Sequence, residues 1–271
     1  METGLVLSGG GFRGIAHIGV IKALEESNIN ISYIAGTSSG AIIGALYANN
    51  YSWKEILGFY DNIEVFSIYN YAINKPGFIN TENFYDFFKK YFPNDTFAKL
   101  HKELFITATN LLNGTLKVFN EGELIKPILA SSAFPGVFTP VMIDDVYYID
   151  GGTLNNFPVD LISMNCDQII GVYLNPVLNV KKTDLKNSYA VLERAYKIRT
   201  TKESYSKFSL CDLLISPESV NNFNIFQRSN SAEVFDIGYY AAKEMLKSEK
   251  GIQFLSKNQN NKLRKIDKLI N

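Results

Sequence analysis

The stretch LSGGGFRGIAHIGVIKALEE, Leu7–Glu26, decides the fold of this chain of 271 residues. Three consecutive glycines follow the apolar run GLVLS, and the residues after Arg13 carry apolar side chains at helical spacing. A glycine loop between a buried strand and a helix can hold negative charge, because unpaired N–H groups at a helix N-terminus attract anions. The sequence therefore predicts an anion-holding loop, either for a dinucleotide phosphate or for the oxyanion of an acyl-transfer transition state.

The dinucleotide alternative lacks a residue that it needs. Gly9, Gly11 and Gly14 fit the pattern G-x-G-x-x-G, whose glycines seat a pyrophosphate on the helix that follows. Such a site also needs an acidic residue about twenty positions further along, at the end of the second strand, to bind the ribose hydroxyls. No Asp or Glu lies between Glu26 and Glu55. The missing acid disfavours a dinucleotide site.

The second strand leads instead to a candidate nucleophile. The run YIAG, residues 33–36, predicts a short strand, and SSGAIIGALYA predicts a helix with a face of small residues. Gly36, Ser38 and Gly40 fit G-x-S-x-G, in which the serine lies on a strained strand-to-helix turn and the glycines give that turn room to close. A chain of this size contains about 0.1 such matches by chance. The strand before it and the helix after it are the context that a nucleophile elbow requires.

The alternation of strands and helices predicts an α/β fold with a mostly parallel central sheet flanked by helices. The later elements that the pattern predicts are a mostly helical stretch over 53–100, hairpins across Asn113-Gly114 and Asp144-Asp145, a buried strand over 168–174, and helices over Tyr189–Tyr205 and Ser231–Leu246. We expect one domain over residues 1–250 and a polar, basic C-terminal tail over residues 251–271.

The composition limits the partners and the compartment. Lys plus Arg and Asp plus Glu each number 27, so no extended basic surface for nucleic acid is expected. Two cysteines, Cys166 and Cys211, cannot form a disulfide framework and favour a reducing compartment. No apolar run approaches the length of about 18 residues that a membrane span needs. We therefore expect a soluble, cytoplasmic protein.

The proton acceptor for the serine is the next question. The two histidines are His17, inside the first predicted helix, and His101, in a polar turn, and none follows. A histidine-dependent hydrolase, or an acyltransferase of the malonyl-transfer type, would need a later one. Asp150, at the end of a predicted strand and before two glycines, could serve if burial raised its proton affinity. Taken alone, these residues favour a simple Asp-Gly turn.

Three short motifs together resemble those of the patatin-like phospholipase family: GGGFRG at 9–14, GTSSG at 36–40 and IDGG at 149–152. The segment ASSAFP, 130–135, also resembles a block that this family carries before its aspartate. The resemblance spans roughly residues 4–176 and implies a patatin-like three-layer fold with a Ser-Asp dyad that uses no histidine. The final hundred residues carry no motif that we match.

The resemblance assigns a role to each matching residue. It implies that Ser38 is the nucleophile and Asp150 the proton acceptor. It also implies an oxyanion hole formed by Gly9, Gly10, Gly11, Arg13 and Gly14. The nucleophile elbow would contain Gly36 and Gly40, and the dyad motif would contain Gly151 and Gly152. Arg13 is expected to brace the glycine loop, with a lipid phosphate as its alternative partner. The implied activity is that of a serine acyl hydrolase, a carboxylic ester hydrolase that cleaves fatty-acyl esters of lipids.

No cofactor and no metal are expected, because the clustered ligand set that a metal would need is missing from the pattern. Two alternatives stay open: an acyltransferase with a thiol or alcohol acceptor, and a lipid-binding protein without turnover. The residues from Phe59 to Phe97 include thirteen aromatics in thirty-nine positions. They are a candidate wall or lid for an acyl chain and a candidate face for peripheral membrane contact. Equally, they fit a pair of helices packed on the core.

Overall fold

The computed structural model describes residues 1–65, 67–225 and 230–258. Within these ranges the chain forms one eight-stranded sheet. The strands are β1 (Thr3–Leu7), β2 (Tyr33–Gly36), β3 (Glu103–Asn110), β4 (Leu116–Phe119), β5 (Val141–Ile143), β6 (Val146–Asp150), β7 (Gln168–Val172) and β8 (Leu213–Ile215). The helices are α1 (Ile15–Glu26), α2 (Ser39–Ala48), α3 (Trp53–Asn62), α4 (Tyr85–Tyr91), α5 (Ile125–Ser131), α6 (Ser188–Tyr205) and α7 (Ser231–Lys247).

The sheet is mixed and mostly parallel, as the sequence predicts. Its order is β5-β6-β3-β2-β1-β7-β8, with β4 paired to β3. The five strands β3, β2, β1, β7 and β8 run parallel, and β4 and β6 each pair antiparallel with β3. Strand β5 pairs antiparallel with β6 and so runs in the same direction as the five parallel strands. Both predicted hairpins form, and Asp144 and Asp145 adopt the positive φ values of 49° and 60° that a two-residue hairpin turn requires.

The central strands are buried on both faces. Successive residues of a strand point to opposite sides of a sheet. Leu5 and Leu7 of β1 belong to the larger hydrophobic cluster, which lies under α1, α2 and α7. Val6 between them belongs to a smaller cluster that includes Phe157 and Tyr173. Covering layers on both faces are what a parallel sheet requires, since its crossovers place chain on each side.

The prediction of a mostly helical stretch over 53–100 is wrong in its middle part. The α-helices there are α3 and α4, and the described residues between 63 and 80 form irregular chain with short turns. Pro76 cannot donate a helical hydrogen bond. The backbone instead pairs with a neighbouring segment, since Phe78 N–H donates to the Val137 carbonyl and Thr139 N–H to the Ile79 carbonyl.

The C-terminal part carries the two late helices within one residue of their predicted ends. Residues 249–258, which include the start of the predicted tail, are also helical, and Phe254 is buried in the larger cluster. Residues 259–271 of that tail lie outside the described ranges. The domain boundary at residue 250 therefore stays a prediction. No helix in the described ranges has the length and apolar character needed to cross a bilayer.

Candidate active site

Ser38 occupies a strained turn between β2 and α2. Its backbone has φ 55° and ψ −124°, a combination that residues other than glycine rarely adopt. The flanking glycines allow the tight packing, because a Cβ on Gly40 would overlap the Leu7 carbonyl and a Cβ on Gly36 would overlap the Gly40 carbonyl. The Ser38 N–H donates to Oγ of Ser131, 2.9 Å away. The turn thus presents a partly exposed hydroxyl at the carboxyl edge of the parallel strands.

A buried hydrogen-bond group joins this turn to the neighbouring strands. The hydroxyls of Thr37 and Thr107 lie 2.6 Å apart, which links the residue before Ser38 to β3. Thr37 Oγ1 also contacts the Asn155 carbonyl at 2.9 Å, in the turn that follows β6. All of these groups are buried, so the links are shielded from competing water. They set the position of Ser38 relative to the end of β6.

Asp150 ends β6 beside Ser38, whose hydroxyl stabilises the charged form of the carboxylate. The Asp150 carboxylate also accepts the Gly152 N–H at 2.7 Å. The side chain is buried, and burial raises the pKa of Asp150 from its ordinary 3.8 to about 6, although the hydrogen bonds from Ser38 and Gly152 lower it. A carboxylate with a pKa near neutrality, in contact with a serine hydroxyl, is suited to accept that hydroxyl's proton.

The glycine loop packs directly on the serine. A Cβ on Gly9 would stand 3.2 Å from Cβ of Ser38. The N–H groups of Gly10 and Gly11 have no hydrogen-bond acceptor among the described residues. Ser39, the first residue of α2, likewise has no acceptor within its helix. Three backbone donors therefore lie around Ser38, at the positive end of the α2 dipole.

The orientation of this loop is fixed by side chains that the motif does not contain. The Gly9 carbonyl accepts hydrogen bonds from the side-chain amide of Asn175 and from Oγ of Ser8. The N–H and C=O of a trans peptide point in opposite directions, so anchoring the Gly9 carbonyl also sets the direction of the Gly10 N–H. In the next peptide, the Gly10 carbonyl accepts the Arg13 N–H at 3.2 Å. The two peptide planes that carry the Gly10 and Gly11 N–H groups are thus each held by hydrogen bonds to their carbonyl oxygen, on the side opposite the N–H.

Arg13 and Gly14 tie the loop to the rest of the structure. The Arg13 side chain is buried, and its Nε donates to the Phe223 carbonyl at 2.8 Å. This bond connects the loop to the chain that precedes α7. A Cβ on Gly14 would stand 2.7 Å from Cβ of Ser39, so the loop and the start of α2 are in close contact.

Neither histidine is placed to act on Ser38. His17 is fully buried, its Nε2 donates to the Ser8 carbonyl at 2.8 Å, and burial lowers its pKa to about 4. His101 is exposed. Neither lines the cavity that contains Ser38 and Asp150. No group of three His, Cys, Asp or Glu side chains that could hold a metal occurs in the described part of the chain.

Ser38 and Asp150 open into a cavity of about 150 Å³ with two kinds of wall. One wall is apolar and comes mainly from α2, α3 and the chain just after α3, with Ile42, Phe59, Tyr60, Ile63 and Val65. The other wall is polar and comes from Asn175 and from Tyr196, Lys197 and Thr200 of α6. The aromatic-rich stretch divides accordingly: Phe59 and Tyr60 line the cavity, Phe84 and Phe88 are in the core, and Tyr69 and Phe78 are exposed.

The sequence alone does not identify several of these residues as part of the site. Ser131 lies in the matched ASSAFP block, but nothing in the block shows that its hydroxyl accepts the Ser38 N–H. Asn175 follows β7, and residues after the carboxyl ends of parallel strands are common site residues, so its position was a usable signal. Tyr196 packs near Asp150, and burial, together with the charge of Asp150, raises the pKa of the Tyr196 phenol. No motif marks this helix.

The N-terminal part of the chain is similar to known phospholipase sequences. The model of the patatin-like phospholipase family matches residues 5–162. Lysophospholipase NTE1 of Yarrowia lipolytica is 33% identical over 162 residues, which are 58% of this chain and 11% of that protein. Lysophospholipase NTE1 of Coccidioides immitis is 34% identical over 181 residues, which are 63% of this chain and 11% of that protein. The chain therefore spans about a tenth of the length of these relatives.

Solved structures share the fold. VipD from Legionella pneumophila is similar with a TM-score of 0.61 and 17% identity, covering 90% of this chain and 66% of that one. The type III effector protein ExoU is similar with a TM-score of 0.53 and 15% identity, covering 92% of this chain and 53% of that one. At these identities the likeness concerns the fold alone.

Proposed function

Because the chain belongs to the patatin-like phospholipase family, we propose that it is a serine acyl hydrolase that cleaves fatty-acyl esters of lipids. The observation that carries this proposal is that Ser38 and the buried carboxylate of Asp150 lie side by side in one cavity, where the serine hydroxyl stabilises the carboxylate. The glycine loop with its free amides lies against the same serine. Nucleophile, proton acceptor and oxyanion donors are the three parts that acyl transfer requires.

In the acylation step, Oγ of Ser38 attacks the ester carbonyl carbon while its proton passes to Asp150. The N–H groups of Gly10 and Gly11 bind the oxyanion that forms, with the Ser39 N–H as a third donor. Removing a single donor of this kind typically raises the barrier by about 3 kcal/mol. When the intermediate collapses, the ester C–O bond breaks and Asp150 returns the proton to the leaving alcohol.

In the deacylation step, water attacks the acyl-serine and gives its proton to Asp150. The second tetrahedral intermediate uses the same backbone donors, and Ser38 leaves as the proton comes back to it. Free fatty acid is the product, and one carboxylate accepts and returns a proton in each half of the cycle. No step needs a cofactor or a metal.

The cavity suggests how a lipid ester is oriented. Its apolar wall, from α2 and α3, suits an acyl chain, and its polar wall, from α6, suits the glycerol or headgroup side. We include lysophospholipids and phospholipids among the candidate substrates, because the relatives named above are lysophospholipases. A cytoplasmic location and peripheral contact with a membrane belong to the same proposal, since the cysteines are free and such substrates reside in bilayers.

The test is hydrolysis of a p-nitrophenyl ester series by the wild type and by Ser38→Ala and Asp150→Asn. We expect each substitution to lower kcat by about 10⁴-fold, because each removes a group that acts in the bond-forming step. Ser256→Ala, at an exposed serine far along the chain, is the matched control. Equal turnover by wild type and Ser38→Ala would refute the proposal. Transfer of the acyl group to an added thiol or alcohol in preference to water would identify an acyltransferase instead.

A further inference from the structure

Helix α6 has an inverted distribution of polar and apolar side chains. The helix of a globular protein normally turns its apolar face to the core and its polar face to water. Among the side chains of α6 that the structure describes, the buried ones are polar, namely Thr200, Thr201 and Ser204. The exposed ones include Val191 at 50%, Leu192 at 65% and Ile198 at 52%. The described part of the chain does not cover these side chains, and an exposed apolar surface of this kind marks an interaction site.

The exposed side chains form one continuous face. Residues 191, 195 and 198 are separated by four and three positions, the spacing of neighbours along one side of a helix. Arg199 and Lys202 are exposed on the same side, in line with Leu192 and Ala195. Glu203 lies at the edge and is paired with Lys207. We call this set the α6 outer face: Val191, Leu192, Ala195, Ile198, Arg199 and Lys202.

The chain that leads into α6 has the same character. Residues 179–187 are all exposed and contain three lysines and one aspartate. Val180 and Leu185 in this approach are 45% and 41% exposed. Apolar side chains interleaved with excess Lys and Arg are typical of helices that lie in the headgroup region of anionic bilayers. Protein interfaces, in contrast, are depleted of lysine.

The inner side of α6 borders the catalytic cavity. Tyr196, Lys197 and Thr200 line it, together with Ser38 and Asp150. Helix α6 therefore contacts the cavity on one side and carries the exposed outer face on the other. A lipid surface on that outer face would lie next to the cavity from which an ester must enter.

A second exposed apolar group lacks the charge. Tyr69, Ile73 and Phe78, in the irregular segment before α4, are 84%, 82% and 69% exposed. Lys75 in this segment is paired with Glu82 at 2.7 Å. Its local charge is thus balanced, whereas the α6 outer face is positively charged.

We propose that the α6 outer face docks the protein on the surface of an anionic lipid bilayer. The proposal rests on the proposed function, because it explains how a lipid ester reaches Ser38. Apolar side chains enter the headgroup region, and Arg199 and Lys202 contact lipid phosphates. The face lies outside the residues 5–162 that the family model matches, so it is a feature of this chain's own C-terminal part.

The test is co-sedimentation with vesicles of phosphatidylcholine alone and of phosphatidylcholine with phosphatidylglycerol. We expect the wild type to bind the anionic vesicles, and the pair Leu192→Asn with Ile198→Asn to weaken binding about tenfold or more. Arg199→Gln with Lys202→Gln should weaken binding to anionic vesicles and reduce its salt dependence. Met164→Asn is the control, because Met164 is 94% exposed and precedes β7, at the opposite edge of the sheet from Ser38.

Hydrolysis of a soluble p-nitrophenyl ester should stay within about twofold of wild type in all these variants, since none of the substituted residues lines the cavity. The docking proposal is overturned if the wild type does not bind anionic vesicles. It is also overturned if the double variant Leu192→Asn with Ile198→Asn binds these vesicles as well as Met164→Asn does. It is also overturned if this pair abolishes a dimer while vesicle binding persists, because the face then contacts a second copy. Vesicle binding without ester turnover by the wild type would leave docking intact and refute the proposed function.

Discussion

Among the helices that border the cavity at Ser38, α2 and α6 are built in opposite ways. Helix α2 buries nine of its ten residues, most of them small or aliphatic, and its glycines let it approach β1 closely. Helix α6 buries only threonine and serine side chains among those described and exposes its aliphatic ones. Core packing therefore fixes α2 and the Ser38 turn at its start. It does not fix α6 in the same way, although α6 supplies one wall of the cavity.

The two helices therefore contribute to the proposed function in different ways. On the α2 side the proposed chemistry depends on backbone geometry: a strained serine, amides with no acceptor among the described residues, and glycines at positions where a Cβ would overlap neighbouring atoms. On the α6 side it depends on side chains that contact the cavity or the solvent. The match to the family model ends at residue 162, before α6 begins. Substitutions on the first side are expected to damage catalysis most, and those on the second side to change it by degrees.

The largest effect in this comparison is expected at Gly11. Its φ is +57°, and a Cβ there would overlap the Ile225 carbonyl, so Gly11→Ala must shift the loop that carries the oxyanion donors. We expect kcat for a p-nitrophenyl ester to fall about 10² to 10³-fold, with a smaller change in KM, as when an oxyanion donor is lost. Steady-state kinetics measures both.

Gly122→Ala provides the matched control for Gly11→Ala. Gly122 also has a positive φ, +78°, but a Cβ there would meet nothing within 4 Å. It carries the same backbone strain without the displacement and should keep wild-type kcat. Equal kinetics in the two variants would show that the loop position is not critical, and the contrast between the two sides would disappear.

The second effect concerns the burial of Asp150, to which α6 contributes through Tyr196. Burial raises the pKa of Asp150 from 3.8 to about 6, so the folded state favours the neutral carboxyl. This contribution to stability is present below about pH 4 and is lost as pH rises through about 6. We expect Asp150→Asn, which cannot ionise, to be more stable than wild type at pH 8 by about 3 kcal/mol. Urea unfolding at pH 4 and pH 8 measures the gap.

The gap in stability should narrow towards zero at pH 4, where both side chains are neutral. Asp236→Asn, on the exposed side of α7, is the matched control. A gap of equal size at both pH values would mean that the buried charge is not its cause. Such a result would also remove the physical basis for Asp150 as a proton acceptor near neutral pH.

The sequence predicts the α2 side better than the α6 side for a physical reason. The strand, the G-x-S-x-G turn and the small-residue helix are local patterns, and the structure has all of them where they were expected. The proximity of Ser38 and Asp150 is not local, and it was inferred only from the three-motif resemblance. It depends on β6 joining the far edge of β3, which no spacing in the sequence encodes.

Other features could not be predicted because they depend on tertiary contacts. The segment after α3 pairs with residues 137–139, and this pairing outweighs its apparent helical pattern. The sequence predicts α6 as a helix, and only the burial of Thr200 and Ser204 shows which of its faces points inward. The role of Asn175 likewise requires β7 to lie beside β1.

The smallest effect is expected at Asn175, where a side chain from the later part of the chain supports the backbone donors. Its amide holds the Gly9 carbonyl, and Ser8 Oγ holds the same atom at 3.1 Å, so Asn175→Ala leaves one of two anchors. We expect kcat to fall about tenfold with KM nearly unchanged, because the Gly10 N–H is less well oriented in the transition state.

The Asn175→Asp variant should lower kcat more than Asn175→Ala does, since a carboxylate cannot donate to the Gly9 carbonyl and places negative charge near the oxyanion. Asn165→Ala, at an exposed asparagine, is the control. A rise in KM at constant kcat would instead assign Asn175 to substrate binding. Asn175 would then act like the α6 side chains of the cavity wall and not as a support for the backbone donors.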